Sequence, residues 1–120
     1  MAIQKNITDR FGVTHENAYA QINHIEIGDP CIINVLVYTN AVARSKGTPL
    51  SQKVPVLSLM YTIRTAEDRD AVLGDSVLKG DGMSPLTSIY TWLKTLNDSA
   101  YNEYSNMPSG IDWTTGTTDV

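Results

Sequence analysis

The run Cys31-Ile32-Ile33-Asn34-Val35-Leu36-Val37-Tyr38-Thr39 constrains the fold more than any other part of the chain. It is apolar almost throughout, rich in β-branched residues, and about nine residues long. That is short for a buried helix, whereas a strand covered on both faces reads this way. The turn signal Gly28-Asp29-Pro30 precedes it. Before the turn, residues 17–27 alternate, with Ala18, Ala20 and Ile22 on one face and Tyr19, Gln21 and Asn23 on the other. The phase slips at His24, so that Ile25 and Ile27 are apolar on the formerly polar side. A one-residue slip in a period-two pattern predicts a β-bulge, and the two runs predict a hairpin.

Strand patterning continues on either side. Residues 1–8 alternate weakly around Ile3 and Ile7 and predict a short first strand or an extended arm, followed by a turn over 9–14 with Gly12. Residues 54–64 form the cleanest strand pattern, with Leu57, Leu59, Tyr61 and Ile63 facing one way. Ser58, Met60, Thr62 and Arg64 face the other, which leaves Met60 open to a partner. Residues 40–53 form a polar, locally basic excursion, and 66–82 read as a helical turn or a loop with a short strand at Val77-Leu78. One helix is expected over 84–96. Ser84 is a natural N-cap, Pro85 suits the first helical position, and Leu86, Ile89, Tyr90, Leu93 and Leu96 recur at helical spacing, with Trp92 widening the stripe.

These signals predict a mainly β domain over 1–96, a small antiparallel β-sandwich or partly open barrel carrying one C-terminal helix. Residues 97–120 are polar and aperiodic, yet they hold Tyr101, Tyr104, Met107, Ile111 and Trp113. Disordered tails have few aromatics, so this segment is expected to be a C-terminal arm that orders by packing against something.

Composition narrows the function. The 120 residues carry a net charge of -4, which argues against a nucleic-acid surface built on clustered positive charge. No apolar run approaches the roughly 20 residues of a membrane-spanning helix, and residues 1–10 lack a secretory-signal pattern. Only 18% of residues are charged, while Thr, Ser and Asn supply 30 of the 120. A surface poor in charge and rich in neutral polar groups suits packing against neighbours, because charges are costly to desolvate.

Catalytic signals are weak. His15 and His24 stand near no motif, and Cys31 has no adjacent base to lower its pKa. The acidic stretch Glu67, Asp68, Asp70, Asp75 and Asp81 fails the calcium-loop spacing, since Lys79 stands where the final carboxylate belongs. No enzyme, cofactor or metal is expected. A sugar platform from Trp113, Tyr101 and Tyr104 is the competing binding reading. Trp113, a large aromatic in a polar segment, is otherwise expected to contact a partner or to fold back on its own domain.

The opening Met1-Ala2-Ile3-Gln4-Lys5-Asn6-Ile7-Thr8, with Phe11-Gly12-Val13-Thr14, Glu16-Asn17-Ala18-Tyr19 and Val37-Tyr38-Thr39, resembles a family of small tailed-bacteriophage proteins. The stretch Ile89-Tyr90-Thr91-Trp92-Leu93-Lys94-Thr95-Leu96 is similar to that family's C-terminal helix motif, and the ending Thr118-Asp119-Val120 to its usual finish. The resemblance implies a virion structural protein assembled in the host bacterial cytoplasm. It implies a place in the tail or baseplate, with capsid decoration or receptor binding at the particle tip as alternatives. The expected partners are other virion proteins and further copies of the chain, and neither nucleic acid nor membrane. The residues expected to make contacts are Ile3 and Ile7 in the arm, Met60, Tyr104, Met107 and Trp113.

Overall fold

The computed structural model describes residues 2–9, 11–28, 30–39, 55–74, 84–105 and 108–120. Four strands follow one another as antiparallel neighbours: β1 (Ile3–Thr8), β2 (Thr14–Glu26), β3 (Cys31–Tyr38) and β4 (Leu57–Ile63). The last strand, β7 (Thr118–Asp119), returns to pair with β1, giving the sheet order β4-β3-β2-β1-β7. Helices α1 (Ala66–Leu73) and α2 (Pro85–Leu93) and a two-stranded sheet of β5 (Asn97–Asp98) and β6 (Ile111–Asp112) complete the chain. The mainly β fold expected from the sequence is what forms.

Period-two patterning sets the faces. Ile3 and Ile7, Ala18 to Ile22, Cys31 to Val37 and Leu57 to Ile63 turn alternate side chains to one side, where they bury against Val72 of α1, Ile89, Tyr90 and Leu93 of α2, Leu96, Ile111 and Trp113. The expected slip is real. Ile22 pairs with Val35 but His24 pairs with Asn34, which leaves Asn23 as the extra residue and returns Ile25 to the core side opposite Ile33. A second irregularity lies between Lys5 and Ile7. There Asn17 takes a left-handed φ of 53° and its N–H donates to Asn6 Oδ1 at 2.9 Å. The apolar run Cys31 to Tyr38 lies inside the sheet, between β2 and β4, but it is not covered on both faces: Cys31, Ile33, Val35 and Val37 are buried, whereas Ile32, Asn34 and Leu36 on the outer face are half-buried.

Both helices are capped by side chains. Ser84 Oγ accepts from Thr87 N–H with Pro85 next in line, and Thr65 Oγ1 accepts from Asp68 N–H. The acidic stretch after Thr65 is therefore a helix. Glu67 and Asp68 occupy its first turn, where the helix dipole favours them. Asp75 and Asp81 lie outside the described residues, as do the expected strand at Val77-Leu78 and the basic excursion. The α2 helix stops at Leu93, and Leu86 of the expected stripe is part exposed, but Leu96 beyond its end is buried.

The largest correction concerns residues 97–120, whose described part is no separate arm. Trp113 is fully buried, and Val120 N–H and C=O exchange hydrogen bonds with the Ala2 backbone at 3.0 and 2.9 Å. Lys94 Nζ grips both oxygens of Asp119 at 3.1 and 2.9 Å. The centre of the attachment is Asp98, 1% exposed. Its Oδ2 accepts from Tyr61 Oη (2.9 Å), Ser109 N (3.1 Å) and Ser109 Oγ (2.6 Å), and its Oδ1 accepts from Asn102 Nδ2 (2.7 Å). Trp113 Nε1 in turn donates to Tyr61 Oη at 2.9 Å. Burial pushes the Tyr61 hydroxyl well above its ordinary pKa, so it remains a donor across the working pH range. Gly110 closes the loop at φ 82°, where its N–H reaches the Asp98 carbonyl at 3.0 Å.

Four donors converge on a carboxylate with no ion-pair partner among the described residues. Asp98→Asn supplies an NH2 where only acceptors fit, and should cost about 2–4 kcal/mol, read from the urea midpoint. Truncation after Leu96 removes Trp113 and the Asp98 network together. It should abolish cooperative unfolding by circular dichroism and leave no smaller folded domain.

Candidate functional site

The tip of the β1–β2 hairpin is organised by one carboxylate. Asp9 Oδ1 accepts from Phe11 N at 2.9 Å and Val13 N at 3.1 Å, and the Asp9 backbone bonds Val13 and Gly12. Gly12 sits at φ 81°, a conformation that costs a side-chain-bearing residue energy. Asp9 Oδ2 receives His15 Nε2 at 2.8 Å, and His15 Nδ1 lies 3.0 Å from Thr39 Oγ1, which ties the tip to the end of β3. The hydrogen bond from His15, aided by those from Val13 and Phe11, holds the Asp9 carboxyl below its usual pKa. Carboxylate, imidazole and hydroxyl stand in line, and what they brace is a turn.

That turn presents Phe11 at 92% exposure and Val13 at 54%. The exposed Phe11 ring borders a cavity of about 300 Å³ whose other walls are Val56, Leu57 and Ser58, at the start of β4. Along β4, Ser58 and Met60 are exposed on the outer sheet face, Met60 by 53%, opposite Leu36 and Asn34 of β3. The edge of β4 is covered in part. Thr62 N–H donates to the Tyr104 carbonyl at 2.8 Å, and Arg64 Nη1 to the Glu103 carbonyl at 3.1 Å. Alternation turns the N–H groups of Ser58 and Met60 to the same side as that of Thr62. Among the described residues nothing bonds them there. An exposed aromatic on a braced turn, an exposed methionine and a stretch of open strand edge thus lie along one end and rim of the sheet.

The structure separates the residues singled out from the sequence. Met60 is exposed as expected. Ile3 and Ile7 point inward from β1 and are core residues, because that strand is paired on both sides near Ile3 and is no free arm. Trp113 is core for the reason given above. Tyr104 is half-buried, its ring 5.2 Å from that of Trp92 in an edge-to-face contact. Met107 lies outside the described residues. The aromatic platform of Trp113, Tyr101 and Tyr104 does not assemble, since Trp113 is enclosed while Tyr101 is 84% exposed. Cys31 is buried, and burial raises its thiol pKa against a weaker pull from Arg69. Phe11 was missed by sequence reasoning. Its signal is the chain's single phenylalanine, two residues after Asp9 and next to Gly12 in a turn.

No protein-family model, no curated protein and no solved structure matches this chain.

The depressed Asp9 pKa has a defined sign. Its stabilising contribution is fully present above the unfolded value of about 3.9 and is lost as pH falls through the lower folded value. Wild type and Asp9→Asn should therefore show their full difference in urea midpoint above about pH 5, and the gap should close as the pH drops below about 3.

Proposed function

We propose that this chain is a structural protein of a tailed-bacteriophage particle, working by protein–protein contact in the tail or baseplate region. The observation that carries the contact reading is Phe11, held almost fully exposed on a turn whose conformation is set by Asp9. Burying such a ring is worth about 1.5–3 kcal/mol, and a turn already braced loses little further freedom when it docks. Beside it, the open Ser58–Met60 edge of β4 offers unpaired backbone groups to an incoming strand, a mode in which main-chain hydrogen bonds supply affinity. Met60 adds an adaptable apolar side chain on the same strand. The placement in a phage particle rests on the resemblance of residues 1–19 and 89–96 to small virion proteins, and the low charge of the chain fits a surface meant to be covered.

Mass spectrometry of gradient-purified particles of the encoding phage should find this chain in multiple copies per particle. The double variant Phe11→Ser/Met60→Ser touches only exposed side chains, so its melting temperature should stay within about 2–4 °C of wild type. Its incorporation should fall at least about tenfold, the effect of losing roughly 1.4 kcal/mol of contact energy. Washed particles that lack the chain, or that take up the variant as well as wild type, would overturn the reading.

A further inference from the structure

On the helical side of the molecule, away from the surface just described, α1 and α2 diverge around a cleft of about 300 Å³. Ala71 and Val72 give it an apolar floor on one side, and the Trp92 ring lines the other. That ring is fixed from two directions, by an edge-to-face contact with Tyr61 at 6.1 Å and another with Tyr104 at 5.2 Å.

The serine and threonine hydroxyls along the cleft share one property. Ser88 Oγ donates to the Val72 carbonyl, Thr91 Oγ1 to the Thr87 carbonyl at 2.9 Å, and Thr95 Oγ1 to the Trp92 carbonyl at 2.6 Å. Each hydroxyl has one proton, and each has directed it to the helix backbone, so only lone pairs remain for a ligand. Burial first, then the neighbouring Glu103 carboxylate and the charge of Asp68, push the Tyr104 pKa up to about 12, which keeps its hydroxyl neutral. Asp68 lines the cleft as a half-buried carboxylate with no ion pair among the described residues, while its neighbour Arg69 is turned away to the Gly28 carbonyl at 2.9 Å. The lining side chains therefore offer the negative charge of Asp68, hydroxyl lone pairs and aromatic surface, with the Trp92 indole N–H and the Tyr104 hydroxyl as their donors.

We propose that this cleft binds the guanidinium of an arginine side chain presented by a partner protein. A carboxylate beside an aromatic ring selects a positive ligand, and the hydroxyl lone pairs give that ligand's N–H groups further acceptors. Of the two cationic side chains, arginine fits better. Its planar group stacks on an indole while sending N–H groups in several directions at once, toward Asp68 and the threonine oxygens, whereas an ammonium is a compact, strongly hydrated point. A neutral amide lacks the charge that Asp68 selects, and an anion would be repelled by it. The assignment does not depend on the sheet-edge reading, because it concerns a different face and a different chemistry.

The test uses the full chain and N-acetyl-arginine amide as probe, followed by indole and amide NMR shifts. The expected result is a saturable, salt-sensitive shift of the Trp92 indole and of the Thr91 and Thr95 amides. The enclosed Trp113 indole should stay still, which also reports an intact fold. The neutral isostere N-acetyl-citrulline amide should leave Trp92 unmoved. Asp68→Asn should weaken the arginine probe at least about tenfold, as expected for loss of one charge-assisted contact. Equal binding of the citrulline probe, shifts confined to other acidic surfaces, or unchanged binding by Asp68→Asn would each overturn the proposal. Tighter binding of N-acetyl-lysine amide than of the arginine probe would overturn the choice of guanidinium.

Discussion

The Asp98 carboxylate is the point on which the architecture turns. Burying a carboxylate with no ion-pair partner among the described residues is costly, and here four directed hydrogen bonds offset the cost. The donors come from β4 (Tyr61) and from two places in the C-terminal segment (Asn102 and Ser109), so the network forms only when sheet and segment meet in one arrangement. Trp113 adds bulk to what the carboxylate adds in direction, since its indole N–H extends the chain of hydrogen bonds through Tyr61. Apolar burial supplies most of the energy, and the network specifies where the segment must lie.

The same device recurs at smaller scale at the hairpin tip. Asp9 gathers two backbone N–H groups and the His15 imidazole around one side chain. One aspartate closes the inside of the molecule, and the other shapes its outside by holding Phe11 away from the core. Function in this protein is read from what has been left uncovered at structural expense. Phe11, Met60 and a length of β4 edge unbonded among the described residues are uncovered, and between the helices lies a cleft lined by Asp68 and Trp92.

How much of this is legible in the sequence depends on the range of the interaction. The bulge at Asn23, the inward set Leu57, Leu59, Tyr61 and Ile63, the helix start at Ser84-Pro85 and the interior position of Cys31 to Tyr38 are written in periodicities of two and 3.6 and in capping chemistry, all of them local. In the sequence Asp98 is one polar residue of an aperiodic segment, because nothing near it shows that Tyr61, 37 residues earlier, supplies its partner. Ile3 and Ile7 carried the right hydrophobicity and the wrong assignment, because burial of an edge strand depends on whether another strand covers it. Here β7, over a hundred residues away, does so near Ile3.

Local patterning therefore settled the strands, most of their facing and one helix, since side-chain alternation and end-capping need only a few neighbouring residues. The distant folding-back of the C-terminal segment settled the rest. It drew Trp113 into the core, gave Asp98 its donors and set Tyr104 against Trp92. Those outcomes are contacts between residues far apart in the chain, and their energy exists only once the whole sheet is in place.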